Sequence, residues 1–297
     1  MILAESIYSF LISKGFDCRT VNTYGIDVIY VMTKGDCERI ILPIEVTSAS
    51  IEEAHQQTSE LSSIMMKLPR FPLIITEDRW NSSRFMMQSR LLAHLEVFFP
   101  VYARNCEIRK IDKATAAEFL EANHSYSDAA CKFRYGMFLK RHTGWRFIDG
   151  RDDDRPEVLN EIPAPGTLIA VAEFSNARKW VKGDKTIKSY EWTRYASLPG
   201  VRINGGMGKM LKHFIKEVQP DDIMSYADLE WSEGSVYEQL GFVLEGQKDP
   251  VTFIIGTNDF KRTAVSRIQT GDSPAEESKY FRNFGSNKYR LKLTDYK

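Results

Sequence analysis

Apolar residues recur every three or four positions in AESIYSFLISKGF (4–16), which predicts an amphipathic helix ended by Gly15. GIDVIYVMT (25–33) and RIILPIEVTS (39–48) are instead runs of Ile and Val joined by the polar turn Lys34-Gly35-Asp36, so they predict a hairpin. IEEAHQQTSELSSIMMKL (51–68) reads as a helix, FPLIIT (71–76) as a buried strand and SRFMMQSRLLAHLEVFF (83–99) as a further helix. A polar stretch with three prolines, FIDGRDDDRPEVLNEIPAPG (147–166), predicts a solvated excursion. TLIAVAEFSNAR (167–178) is the next strand, and ARKWVKGDKTIK (177–188) reads as a basic loop. YEWTRYAS (190–197) alternates like a pleated strand. After the glycine-rich turn Asn204–Gly208, KMLKHFIKEV carries one apolar stripe of Met210, Leu211, Phe214, Ile215 and Val218 before Pro220. IMSYADL returns as a strand, SVYEQLGF as a helical turn ended by Gly241, and VTFIIG as the last strand before the linker IQTGDSPAEES. Strands alternating with helices over 297 residues predict an α/β chain long enough for two domains.

Composition narrows the function classes more than it selects one. Lys+Arg and Asp+Glu are both 40, so a nucleic-acid face must be local if there is one. Cys18, Cys37, Cys106 and Cys131 lie far apart without a C-x-x-C pair, which argues against a zinc site and a disulfide scaffold. No apolar run reaches membrane-spanning length and no basic-then-apolar leader opens the chain, so the expectation is a cytoplasmic protein without a membrane partner.

A glycine-rich turn at a helix start presents backbone N–H groups and the positive end of the helix dipole, which suits a pyrophosphate; it equally describes a tight turn that binds nothing. The order from Tyr190 to Gly246, with the ending SVYEQLGF, resembles the GNAT acyltransferase superfamily. That family's turn is Q/R-x-x-G-x-G/A; here Arg202 precedes Gly205 by three, and Met207 stands where the second small residue belongs. The resemblance implies an acetyl-CoA or other acyl-CoA cofactor held by Arg202, Asn204, Gly205, Gly206, Met207 and Gly208. In a GNAT fold the strands YEWTR and SYAD splay apart, and residues at that splay meet the substrate. Glu191, Arg194, Asp228 and Tyr237 are thereby implied as catalytic, Tyr237 as the acid that protonates a leaving thiolate. E-x-x-R, SYAD and G-x-x-Y also resemble the Mom-type proteins that modify adenine in DNA. Glu191 with Arg194 as a cross-strand ion pair, and Tyr237 as a core anchor, are the structural alternatives. His124, after FLEAN, fits acid–base chemistry or a helix cap.

The helix–hairpin–helix–strand order of the first hundred residues, with acids on the strands, resembles the restriction-endonuclease-like (PD-(D/E)XK) fold. The resemblance implies a divalent metal such as Mg held by Glu5, Asp27 and Glu45, with Gln56 or Gln57 in the next helix. Thr47 stands where the family has lysine, which implies a degenerate nuclease fold; acids at strand edges are the alternative. E-D-x-W in LIITEDRW and YARNCEI resemble phage proteins that join a very-short-patch-repair-like nuclease domain to a GNAT-like domain. Expected domains are therefore 1–104, restriction-endonuclease-like, and 105–297, GNAT-like. Arg178, Lys179, Trp180 and Lys182, with Lys185 and Lys188, form a basic segment able to contact a phosphate backbone, or simply a solvated one. The leading expectation is an acyl-CoA-dependent transferase acting on DNA through a nuclease-like docking domain. The alternatives are a metal-dependent endonuclease whose second domain recognises DNA, and a DNA-binding protein with neither activity.

Overall fold

The computed structural model describes residues 2–33, 37–126, 128–141, 163–267 and 278–296. The acidic run Asp152–Asp154 and most of the linker before Lys279 lie outside them. The chain forms two compact units, each built from three segments: Met1–Leu91, Ala227–Ser235 and Gly246–Asn287 in the first, and Leu92–Tyr226, Val236–Glu245 and Lys288–Lys297 in the second.

The first unit opens with helix α1 (Leu3–Ser13), which buries Leu3, Ala4, Ile7 and Leu11. Strands β1 (Cys18–Thr23), β2 (Ile26–Met32) and β3 (Glu38–Ile44) run antiparallel in sequence order. The expected hairpin is thus β2–β3. The polar CRTVNT adds an unexpected edge strand in front of it. Ile40 to Ile44 are all buried, as expected of a continuous apolar run covered on both faces. Helix α2 (Ile51–Met65) is capped by Ser50, whose side chain accepts from the Glu53 N–H. It carries the chain to β4 (Leu73–Thr76), which pairs parallel with β3. Two helices follow, α3 (Glu77–Ser82) and α4 (Arg84–His94). The expected helix 83–99 therefore stops at His94.

The chain continues through β5 (Phe99–Tyr102), β6 (Cys106–Lys110), α5 (Lys113–Asn123), β7 (Phe133–Leu139), β8 (Leu168–Phe174), β9 (Arg178–Lys182) and β10 (Lys185–Ser197). The basic segment expected as a loop is a hairpin: β9 pairs antiparallel with the first half of β10. Next come β11 (Val201–Asn204), helix α6 (Gly206–Val218), β12 (Asp222–Asp228), α7 (Ser235–Gln239) and β13 (Val243–Lys248). The expected glycine turn follows β11, a short strand that pairs parallel with β5, rather than the long strand before it. Helix α6 buries Met210, Leu211 and Phe214 and stops at Gln219, whose φ of 50° puts it in the left-handed region ahead of Pro220. Phe214 stacks on Phe174 of the sheet, ring centroids 3.9 Å apart and planes within 2°.

Three strands then form a separate sheet of the first unit, β14 (Thr252–Ile255), β15 (Arg262–Ala264) and β16 (Lys279–Arg282), ordered β15-β14-β16. Strand β17 (Ser286–Lys292), in the tail YFRNFGSNKYRLKL, is the last strand among the described residues. The large sheet runs β13-β17-β12-β10-β8-β7-β6, with β9 on β10. Arg262 ties the first unit together: its guanidinium donates to Thr76 Oγ1 (2.8 Å), to both carboxylate oxygens of Asp78 and to both of Glu230 (2.8 and 3.0 Å). Arg79 Nε also donates to Glu230, at 3.0 Å. Asp78 and Arg79 of the E-D-x-W segment are thus spent inside this buried network.

Candidate functional site

The strongest candidate lies where β10 and β12 part. These parallel strands pair only as Ser189↔Asp222, Tyr190↔Ile223 and Glu191↔Met224, although β10 runs on to Ser197 and β12 to Asp228. On its other side β10 shifts register against β8 between Trp192 and Arg194, a bulge that bends the strand at the same point. Just past the last pair, Ser225 Oγ lies 2.8 Å from the Trp192 carbonyl and 2.9 Å from the phenol oxygen of Tyr237. A side chain thus bridges the strands where the ladder stops. Burial pushes the Tyr237 phenol above its ordinary pKa, with the Tyr289 ring stacked 5.3 Å away.

The implied catalytic residues fall around this opening unequally. Glu191 is the last residue of β10 paired with β12, and Arg194 follows the bulge with its guanidinium 5.7 Å from the Tyr126 ring. His124 ends α5, its N–H donating to Leu120 O; its Nδ1 lies 3.0 Å from the Tyr126 N–H. Tyr126 therefore brings His124 and Arg194 to one place. Asp228 falls in the first unit, where its carboxylate accepts the Glu230 N–H at 3.0 Å and its carbonyl accepts from Trp231 and Ser232.

The glycines of the turn have separate causes. Gly205, the N-cap of α6, has φ 75°. A Cβ on Gly206 would lie 2.8 Å from Ile203 and 2.9 Å from Tyr195 Oη, so close packing demands glycine there. Among the described residues no side chain caps α6, and the first-turn N–H groups of Gly206, Met207 and Gly208 fit an anion such as a pyrophosphate. Arg202 and Asn204 are exposed just before the turn, with Arg202 over the Phe98 ring at 4.8 Å. Lys209, in the same turn, is spent on the carbonyls of Ala103 and Cys106.

Beside the bulge stands a cluster that the sequence reading passed over. Glu173 is 0% exposed on β8 and accepts from Arg134 Nε at 3.0 Å. Burial, with Asp128 beside it, pushes the Glu173 carboxyl up to about 7. The signal available was a single acid inside the apolar run TLIAVAEF.

The implied metal residues lie in the first unit. Glu5 and Asp27 line one cavity of about 500 Å3 with Ala4, Tyr8, Ser9 and Thr20. Asp27 accepts from Asn22 Nδ2 at 3.0 Å. Glu45 falls just beyond β3 and caps the start of α1, its Oε1 accepting the Leu3 N–H at 3.2 Å. Glu45 and Thr47 are exposed while Ile44, Val46 and Ser48 are buried, so the two share a face as alternation requires. Gln57 donates to the Glu45 carbonyl, not to its carboxylate. Among the described residues no group of three or more His, Cys, Asp or Glu is placed to hold a metal ion, so these residues do not fit the metal as they stand. Arg178, Lys179, Trp180 and Lys182 are exposed on β9. Among the described residues no helix is long and apolar enough to cross a membrane.

No family model and no curated protein matches the chain. Among solved structures it is similar to Eis1 from Mycobacterium abscessus, at 14% identity and a TM-score of 0.31 over 50% of this chain and 33% of that one. A histone acetyltransferase HPA2 and related acetyltransferase structure from Corynebacterium glutamicum matches at 13% identity and a TM-score of 0.29, covering 84% of this chain and 96% of its own. The KacTA–DNA complex matches at 14% and 0.27, covering 60% and 92%. The chain spans about a third of the length of the Eis1 structure, and at these scores nothing carries over from any of the three.

Proposed function

We propose that this chain is a GNAT-like, acyl-CoA-dependent group transferase whose acceptor is an amine on a nucleic-acid base. The observation that carries the reading is the parting of two parallel strands after three residue pairs, followed by a helix that opens on uncapped backbone N–H groups. Gly206, Met207 and Gly208 hold the pyrophosphate through those N–H groups, with Arg202 and Asn204 flanking it. The cofactor supplies an activated acyl thioester. Glu191, at the fork, takes the proton from the attacking amine. Tyr237, kept protonated by burial, donates one to the departing thiolate. Asp228 is already accepting an N–H in its own turn, which leaves Glu191 as the favoured carboxylate.

Calorimetric titration of CoA and acetyl-CoA into the wild type and Met207→Asp tests this. Asp in the first turn of α6 suits the helix dipole, so the fold persists, while its charge opposes a pyrophosphate. The expected result is binding by the wild type and its loss in the variant. Equal binding by both sinks the proposal, as does a wild type that binds neither ligand.

A second reading keeps a specific observation: Glu5 and Asp27 share one cavity in a helix–sheet–helix–strand unit, as the nuclease resemblance implies. Metal-dependent nicking of DNA abolished by Asp27→Asn would establish it. Glu45 does not join Glu5 and Asp27, because its carboxylate is committed to the start of α1.

A further inference from the structure

The β9–β10 hairpin carries a dense run of positive charge. Between residues 178 and 189 stand Arg178, Lys179, Lys182, Lys185 and Lys188 against one acid, Asp184, in a chain of net charge zero. The register sets Lys182 directly opposite Lys185, and Lys179 directly opposite Lys188. Facing residues share a side of the ribbon, and like charges so placed are destabilising. Alternation then distributes the basic groups over both faces, with Arg178, Lys182 and Lys185 on one and Lys179 and Lys188 on the other. Every residue of β9 is exposed, including Trp180 at 51% and Val181 at 79%; on the Arg178 face Ile187 and Ser189 of β10 are buried, so that face is free towards the tip, at Lys182 and Lys185. The ribbon turns tightly at Gly183-Asp184, with Gly183 at φ 59°, so its tip is narrow. Lys185 Nζ donates to the Asp295 carbonyl, which leaves the Lys179–Lys188 pair as the clearer one.

We propose that this ribbon enters the major groove of duplex DNA tip-first, its two basic faces set against the two phosphate strands. The groove is about 12 Å wide and admits a two-stranded ribbon. A ribbon whose tip is cationic on both faces matches a slot walled by anions on both sides, whereas a one-faced patch would suit a flat surface. Phosphates relieve the Lys–Lys repulsion that the free protein carries. This deepens the nucleic-acid part of the proposed function, and it is read without acyl-CoA, so the two fail separately.

The experiment measures fluorescence anisotropy of a labelled duplex of about two helical turns with the full chain, from 50 to 200 mM salt. The probes are the wild type, Lys179→Ala/Lys188→Ala and Lys182→Glu. Wild-type affinity falls with salt, with a logarithmic slope of about −0.9 per phosphate neutralised. The double variant binds ~10-fold or more weakly, with a slope shallower by about 2, and melts at the wild-type temperature or above. Lys182→Glu weakens binding as well, through the other face. Variants that bind with wild-type affinity and slope overturn the proposal and leave the lysines as guards of a sheet edge. A single strand bound more tightly than the duplex, with the loss concentrated in Trp180→Ala, also overturns the groove placement.

Discussion

Ser225 Oγ stands 2.9 Å from Tyr237 Oη, linking the first residue of β12 beyond its pairing with β10 to helix α7. The same hydroxyl reaches the Trp192 carbonyl, so its single proton serves one neighbour at a time. If Tyr237 is the acid of the proposed transfer, Tyr237→Phe lowers kcat by about 100-fold and leaves the KM for acyl-CoA nearly unchanged. A steady-state assay separates the two. A fall confined to KM would make the phenol a binding group instead.

Gly206 is expected to tolerate no side chain. Its Cβ position is within 3 Å of Ile203 and Tyr195, so Gly206→Ala forces β11 and α6 apart and costs about 1–3 kcal/mol. Urea unfolding measures this. Gly205→Ala strains the backbone instead, because Gly205 has φ 75° while an added Cβ would meet only Ala103 Cβ, at an ordinary 3.8 Å.

Glu173 makes stability depend on pH in a defined direction. Its carboxyl holds a proton to about 7 in the folded chain, against an ordinary 4.5. Between those values the folded state binds more protons than the unfolded one, so this contribution is full below about 4.5 and is lost as pH rises through 7. The wild type should lose up to about 3 kcal/mol from this group across that window. Glu173→Gln should flatten the curve. Denaturant midpoints at pH 5 and 7.5 provide the comparison.

Arg262 holds two buried carboxylates, Asp78 and Glu230. Arg262→Ala leaves both with an uncompensated share of charge and is expected to cost about 3–5 kcal/mol, read as a drop in Tm. Arg262→Lys should recover little, since one ammonium cannot replace a guanidinium that reaches two carboxylates and Thr76 together.

The elements that were legible are those whose burial is written in their own pattern. Helix α6 ends on Val218, the last residue of its stripe, although it begins at Gly206 inside the expected turn, and β3 is a continuous apolar run because both its faces are covered. Strand β1 was not legible: CRTVNT is an edge strand with one aliphatic residue, held by pairing with β2. The β9 hairpin was hidden by its lysines, although Gly183-Asp184 between two short β-prone runs was a hairpin signal. At the candidate site, Glu191, Arg194 and Tyr237 were named from their segments. Ser225 was passed over because its part depends on where two strands diverge, which no local pattern encodes. The Arg262 network joins residues up to 186 positions apart, beyond the reach of any periodicity.

The first unit takes its last segment from the far end of the chain, which bears on how it is made. Thr58 of α2 donates to the Arg282 carbonyl, and Leu61 and Ile74 share a core with Ile255, Phe281 and Phe284. A ribosome delivers the first 91 residues long before it delivers those partners. At 5–20 residues per second, roughly ten seconds or more separate the two. During that interval α2 and the β-sheet beneath it expose an apolar face, a natural target for a chaperone that meets nascent chains.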